Sequence, residues 1–212
     1  MSLALAQQQK GRSPIMAIAA ISRRQRDFSS ILETDRPDFA NRYFTLFRTS
    51  LGWIGFRGDG IMLSRVSLGH LQREQAERDL RQVDAHEPTP IAADGFPELR
   101  DQFERFAAGE YVEFTGYKLI WPRLTSFQKQ VMQATFALRY GATSSYREIA
   151  IRVGSPRAAR AVGNALGANL FPLLIPCHRV LASGGLIGGF TAPQGIPLKK
   201  RLLEMEQAQL GR

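Results

Sequence analysis

Helix-start signals restrict the second half of this chain more than any other feature. Thr125 with Gln128, and Ser145 with Glu148, each place a hydroxyl three residues before an amide or carboxylate. Such a pair reciprocally satisfies the free N–H groups at the start of a helix. The first pair opens a helix with Phe127, Val131, Ala134 and Leu138 on its buried face, predicted to stop at Gly141. The second opens YREIAIRV, stopping at Gly154. Ser155 is then predicted to cap a third helix, with Pro156 at its first position, running through RAARAVGNALGA. Two helices joined by the single turn VGSP read as a helix-turn-helix, a pattern that generic helix pairs share.

The third helix is nearly bare: Ala158, Ala159, Ala161, Gly163, Ala165, Gly167 and Ala168 leave little side chain on it, with Arg157 and Arg160 at its start. Such a surface suits tight packing against a neighbour, or close approach to a DNA minor groove with an arginine as wedge. Charge bears on the choice. The chain carries a formal +9, and residues 125–212 hold 11 Lys+Arg against 3 Asp+Glu. A polyanionic partner, nucleic acid or an anionic membrane surface, is therefore expected on the C-terminal part.

Further along, RVLASGGLIGGF reads as two short strands about Ser183-Gly184-Gly185, a hairpin placed to serve as a wing. The last helix, PLKKRLLEMEQAQL, turns Leu198, Leu202, Met205 and Leu210 inward and ends at Gly211. In the first half, RYFTLFRTSLGWIGFRGDGIMLSRVSL has aromatic and β-branched runs broken at Leu51-Gly52 and Gly58-Asp59-Gly60, as a small antiparallel meander requires. Helical spacing follows at Leu71, Ala76, Leu80 and Val83, then at Leu99, Phe103 and Phe106. YKLIWPRLTS reads as a boundary, and residues 1–38 as a poorly ordered, polar lead-in. The fold class is α+β, with a small N-terminal domain over 39–120 and a mostly helical C-terminal domain over 121–212.

No apolar run approaches a bilayer-spanning length, since IMAIAAIS is too short. The arginines Arg23, Arg24 and Arg26 lie behind that stretch rather than ahead of it, unlike a secretory signal.

One cysteine stands in the chain, Cys177 in LLIPCHRVLASGG. A single thiol makes no internal disulfide, and its presence fits a reducing interior, hence the cytoplasm or wherever the cell keeps its DNA. Free cysteine is most often a small buried hydrophobe. A following histidine and arginine, His178 and Arg179, are also what would stabilise a thiolate. The residues alone leave core filler and nucleophile both open.

Taken together, SYREIA, PRAARAVGNALGAN, IPCHRV, GGLIGGF and KKRLLEME resemble the O6-alkylguanine-DNA alkyltransferases, also called methylated-DNA-protein-cysteine methyltransferases. The likeness runs from Trp121 to Glu206, and more loosely from Tyr43 to Tyr117. It implies a small RNase H-like α/β unit followed by a winged helix-turn-helix domain. It also implies irreversible, single-turnover transfer of the alkyl group of O6-methylguanine, less well O4-methylthymine, to Cys177. Double-stranded DNA carrying the lesion is the implied partner. A monomer in the cytoplasm near the nucleoid, or in a nucleus, is expected; no cofactor and no membrane are implied.

By the same resemblance, His178 acts through a bound water to form the thiolate, Glu206 orients His178, and Asn169 braces the turn around the cysteine. Tyr146 crowds the target phosphate and donates to guanine N3. Arg160 fills the place of the flipped nucleotide; Arg157, charged and beside it at the helix start, is read from the residues as a further DNA contact. Backbone near Cys177 and Val180 and the hydroxyl of Thr191 read the base edge, while Lys199 stands by the alkyl pocket. Read without the resemblance, Glu206 is a solvated helix charge and Tyr146 a buried aromatic. Thr191 and Phe190 depart from the family's usual Ser and Tyr, and TAPQGIPLKK differs in length from some members, which touches the pocket wall. Some members hold zinc through N-terminal cysteines; this chain has none there, so no metal site is expected, and His70 and His86 are read as surface residues. Two readings of other classes stay open: a binding protein for alkylated DNA or for transcriptional control, and a Cys-His-Glu hydrolase.

Overall fold

Alternating apolar residues in the first half pair into the expected meander. In the computed structural model, which describes residues 28–33, 43–81, 95–121 and 124–210, strands β2 (Tyr43–Thr49), β3 (Gly52–Gly58) and β4 (Met62–His70) run antiparallel in sequence order. Phe47, Ile54, Phe56, Leu63, Val66 and Leu68 turn to the core. Helix α2 (Arg73–Arg81) lies against β3 and β4, and α3 (Pro97–Ala107) buries Leu99, Phe103 and Phe106. The Phe103 ring meets Phe114 at 4.8 Å and Phe56 at 6.4 Å between centroids. Leu71 departs from its reading: it precedes α2 and is 73% exposed. Val83 and His86 lie outside the described residues.

The stretch read as a boundary begins with a strand. Strand β5 (Lys118–Ile120) pairs parallel with β4 on one side and with β1 (Leu32–Glu33) on the other, giving a five-stranded sheet in the order β1-β5-β4-β3-β2. Strand β1 and the helical turn before it, α1 (Phe28–Ile31), fall within the expected lead-in. What holds them is Phe28, fully buried, its ring 5.7 Å from that of Phe136 in the second half. Residues 1–27 and 34–38 of that lead-in lie outside the described residues.

Both capping boxes form. Thr125 and Gln128 cap α4 (Ser126–Phe136), and Ser145 and Glu148 cap α5 (Tyr146–Arg152). Helix α4 stops short of Gly141: the Leu138 amide turns back to the Thr135 carbonyl, and Leu138 is buried beyond the helix end. Ser155 does not cap the next helix. The amides of Ser155 and Gly154 donate to Ala150 and Ile151, with Gly154 at φ 72°, a Schellman end to α5. The Ala158 amide then donates to the Ser155 carbonyl at 2.9 Å, closing a separate turn that holds Arg157, so α6 (Ala159–Gly167) starts only after Ala158, without a side-chain cap. The expected hairpin is also replaced. Strand β7 (Val180–Leu181) pairs parallel with β6 (Ser144–Ser145), and a 3-10 turn at Ser183–Gly185 follows, closed by the Ala182 amide on the Leu186 carbonyl. No return strand follows it among the described residues.

Helix α7 (Gly195–Leu210) buries Leu198 and Leu202, half-buries Met205 and, on the same side, buries Lys199 and Glu206. The halves share one core and several hydrogen bonds. The Val66 amide donates to the Leu170 carbonyl at 2.8 Å, and Arg201 reaches the Ser50 carbonyl at 2.7 Å. Among the described residues no helix is long and apolar enough to cross a membrane.

Candidate active site

Helix α6 ends at Gly167, and past Asn169 the chain doubles back to Cys177 through a loop that Asn169 itself closes. The Asn169 side-chain amide donates to the Ile175 carbonyl at 2.9 Å and to Cys177 Sγ at 3.2 Å, while its oxygen accepts the Phe171 amide at 3.0 Å. Within the loop Leu173 has φ 72°, the one non-glycine residue with positive φ among those described. Pro176 supplies the last bend. At φ −79° and ψ 65° it centres an inverse γ-turn, in which the Cys177 amide meets the Ile175 carbonyl at 2.8 Å. Proline's fixed φ matches that turn, so the backbone before the thiol is set in advance.

Cys177 opens the short 3-10 turn Cys177–Arg179, and its neighbours turn away from it toward α7. His178 Nε2 lies 2.8 Å from Glu206 Oε1, both side chains 1% exposed. With the carboxylate accepting at Nε2, neutral His178 carries its proton there and Nδ1 is left as the acceptor. That Nδ1 is buried with no hydrogen-bond partner among the described residues. Arg179 does not face the thiol, contrary to its reading as a thiolate-stabilising charge. Its guanidinium forks onto Glu206 at 2.8 and 2.9 Å, donates to the Leu138 carbonyl at 2.8 Å and lies over the Tyr140 ring. The Gly141 amide adds a further donor to Glu206 at 3.0 Å.

These contacts set the charges. Burial pushes Glu206 up, but the hydrogen bonds and charges of His178 and Arg179 outweigh it and hold the carboxyl down at about 2. Burial holds His178 below the usual imidazole range, with Glu206 opposing in part. Burial pushes the Cys177 thiol up, against the Asn169 hydrogen bond, the Lys199 charge and the amides of Cys177 and His178. Burial likewise lowers Lys199, whose ammonium donates to the carbonyls of Val180 at 2.6 Å and Gly189 at 3.2 Å and lies 5.6 Å from the Tyr146 ring centre.

Beside the thiol opens a cavity of about 590 Å³, large enough for a purine base, bordered by Cys177, Tyr146, Arg160, Gly163, Phe190 and Thr191. Ala159, Gly163 and Gly167 recur every fourth residue along α6 and all line it, so the small residues leave room there. Tyr146 donates to the Gly189 carbonyl at 3.4 Å, and a Cβ on Gly188 would fall 2.7 Å from its ring. Arg157 is exposed and does not border the cavity. Val180 is buried and does not border it either; its carbonyl accepts from Lys199. Among the described residues no cluster of three His, Cys, Asp or Glu side chains stands where a metal ion could be held.

The structure thus brings together Cys177, His178, Glu206, Asn169, Tyr146, Lys199, Thr191 and Arg160. Sequence reasoning missed Arg179, Tyr140 and Gly141 as supports of Glu206. A buried carboxylate needs compensating donors, and the arginine next to His178 was the available signal.

Residues 126–208 match the family described as 6-O-methylguanine DNA methyltransferase, DNA binding domain. A methylated-DNA--protein-cysteine methyltransferase of Haemophilus influenzae is 32% identical over 165 residues, 78% of this chain and 86% of its own length. One of Methanosarcina acetivorans is 32% identical over 164 residues, 77% of this chain and 97% of its own. Among solved structures, Mycobacterium tuberculosis OGT in complex with DNA is similar with a TM-score of 0.64 at 33% identity, covering 79% of this chain and 94% of that one. The O6-methylguanine-DNA methyltransferase of Pyrococcus kodakaraensis gives a TM-score of 0.59 at 25% identity, over 78% and 98%.

Proposed function

The chain belongs to the methylated-DNA--protein-cysteine methyltransferase family, and from that membership we infer that it repairs O6-methylguanine in DNA by moving the methyl group onto Cys177. One observation carries the assignment of the acceptor. Cys177 Sγ, held by Asn169, stands at a base-sized cavity with the buried His178–Glu206 pair directly behind it.

In the reaction, the thiol proton passes to His178 Nδ1 through a bridging water, and Glu206 stabilises the imidazolium that forms. The S–CH3 bond forms as the CH3–O6 bond breaks. Guanine leaves as its anion, with the Tyr146 hydroxyl supporting it at N3, and regains at N1 the proton that the thiol gave up. The thioether is not reversed, so each molecule acts once. That the chain keeps a single cysteine fits a group consumed in one event.

A stacked guanine presents O6 only at the major-groove edge, on the far side from a helix docked in the minor groove, so the nucleotide must swing out to meet the thiol. Arg160, on the exposed rim of the cavity, would take the vacated place in the stack from the minor-groove side. Arg157 in the turn before α6 would contact phosphate. Thr191 and backbone near Cys177 and Val180 would read the base edge, and Lys199 would fix the Val180 carbonyl. Residues 121–212 form the DNA-facing winged helix-turn-helix part in this reading, the turn at 182–186 standing for the wing; residues 39–120 form the RNase H-like part. O4-methylthymine would be a poorer substrate, and a monomer placed with the cell's DNA suffices for all of these steps.

Mixing the protein with a duplex containing one O6-methylguanine, followed by peptide mass spectrometry, tests the reading. One methyl on Cys177 with guanine restored is expected, and Cys177→Ser should bind the duplex without repairing it. An unmodified Cys177 on bound DNA would instead indicate damage recognition without repair. Repeated turnover with release of product would indicate a hydrolase.

A further inference from the structure

The segment from Gly189 to Gln194 passes between two cavities. Phe190 and Thr191 border the 590 Å³ cavity described above and also a second one of about 370 Å³ between the two halves of the molecule, where Ala192 and Pro193 continue its wall. Cys177 borders both. This strap is fastened at each end. At Gly189 the carbonyl accepts from Lys199 and from Tyr146. At the other end the Gln194 amide donates to the Leu51 carbonyl and to the Gly69 carbonyl, each at 2.8 Å.

Both acceptors sit at tight glycine corners that the amide enters. Gly52 and Gly69 have φ of 106° and 82°; a Cβ would strike the His70 carbonyl at 2.6 Å on the first and the Leu198 side chain on the second, and would also come within 3.2 and 3.3 Å of the Gln194 nitrogen. The two N–H groups of one primary amide are thus both used to hold the strap to the first half of the chain. Gln194 is the only side chain among the described hydrogen bonds that joins this strap to the sheet, while Arg201, on Ser50, ties α7 to the same turn without touching the strap.

We propose that Gln194 is a positioning residue that sets adduct size: by fastening the strap to the Leu51 and Gly69 carbonyls it fixes Phe190 and Thr191 as a wall between the two cavities at Cys177. This inference rests on the alkyl transfer proposed above. Released from Gln194, the wall yields toward the second cavity. A large alkyl group then finds room beside the thiol, while a methyl group is held less well against it.

The test compares single-turnover transfer from duplexes carrying O6-methylguanine and O6-benzylguanine, in full-length wild type, Gln194→Glu, Gln194→Ala and Arg201→Ala. Glutamate is isosteric but offers no donor to either carbonyl, and alanine removes the tie outright. Both should raise the benzyl-to-methyl rate ratio by about tenfold, the scale of discrimination that a small change of pocket size brings. Arg201→Ala, which loosens only the helix, should lower thermal stability and leave the ratio as in wild type. An unmoved ratio in both Gln194 variants, or an equal rise in Arg201→Ala, overturns the inference while wild-type transfer stands. Wild-type protein that places no alkyl group on Cys177 overturns the proposed function, and the inference with it.

Discussion

Glu206 Oε1 accepts from His178 Nε2 and from an Arg179 nitrogen at the same distance, 2.8 Å, inside a protein core that leaves the carboxylate 1% exposed. One carboxylate therefore orients the imidazole and neutralises the guanidinium. Glu206→Ala should destabilise the protein by about 3–5 kcal/mol, because it strands the buried Arg179 charge. Glu206→Gln keeps the shape and should be milder in stability, yet should still abolish most transfer. Thermal melts and single-turnover rates on both variants check this; an alanine variant as stable as wild type would refute the shared role.

Acid should unfold the protein through the same group. The folded carboxyl is held at about 2 against an ordinary 4.5, so the unfolded chain takes up the proton first. The resulting stabilisation is complete above about pH 4.5 and is lost as pH falls toward about 2, an effect of about 3 kcal/mol. Buried, neutral His178, whose pKa is lowered, adds a loss of the same sign as pH falls below its ordinary 6.5. Denaturation midpoints across the acid range should show the slope, and Glu206→Gln should flatten its lower part.

Transfer itself should depend little on pH near neutrality. Because burial holds His178 below the usual imidazole range, it is a neutral acceptor at neutral pH and above, and the rate should fall only in acid below that usual range. A rate that instead climbs steadily into alkali would mean that the thiol, pushed up by burial, ionises without His178.

Asn169 is built into both the loop and the thiol. Asn169→Asp keeps an acceptor for the Phe171 amide but loses the donors to Ile175 and Sγ, and sets a negative charge beside the sulfur. It should slow transfer more than about tenfold, by pushing the thiol further up. Asn169→Ala should also lower stability by about 1–3 kcal/mol. Wild-type transfer by the aspartate variant would sink the claim.

Gly188→Ala puts a carbon 2.7 Å from the Tyr146 ring, so the ring must give way, at about 1–3 kcal/mol. Transfer should slow markedly both from duplex DNA and from a free benzylated base, since each presents guanine N3 to the Tyr146 hydroxyl. Wild-type rates on both substrates would show that Tyr146 does not support the leaving guanine.

Arg160→Ala should slow repair of duplex far more than reaction with the free base, and binding should weaken steeply with salt in either protein. If both substrates suffer alike, Arg160 is not filling the stack.

Local signals in the sequence located most of this. Capping boxes at Thr125 and Ser145 and the meander breaks fixed the elements, because each is decided within a few residues. The string around Cys177 named the reacting group. What escaped was decided over distance. Phe28 is ordered by Phe136, and Lys118–Ile120 become a strand because β4 and β1 flank them. Ser155 opens a separate turn, its carbonyl taken by the Ala158 amide, and so stands one turn too early to cap α6. Arg179 adjoins the thiol in sequence, yet the 3-10 turn sends it to a carboxylate 27 residues away. Gln194 carried no signal at all, since only the folded sheet presents the two carbonyls it holds.

The buried charges around Cys177 have a further meaning when counted as an inventory. Arg179 and Lys199 contribute two cations, Glu206 one anion, and His178 and the resting thiol none. The enclosed cluster is thus one positive charge out of balance at rest. Passing the thiol proton to His178 leaves that sum unchanged, because it adds one thiolate and one imidazolium within the cluster, and once guanine has taken the proton the uncharged thioether leaves the same single excess. The enclosed core thus keeps one surplus positive charge from the resting state to the spent one, so the proton moves without the core ever changing its net charge.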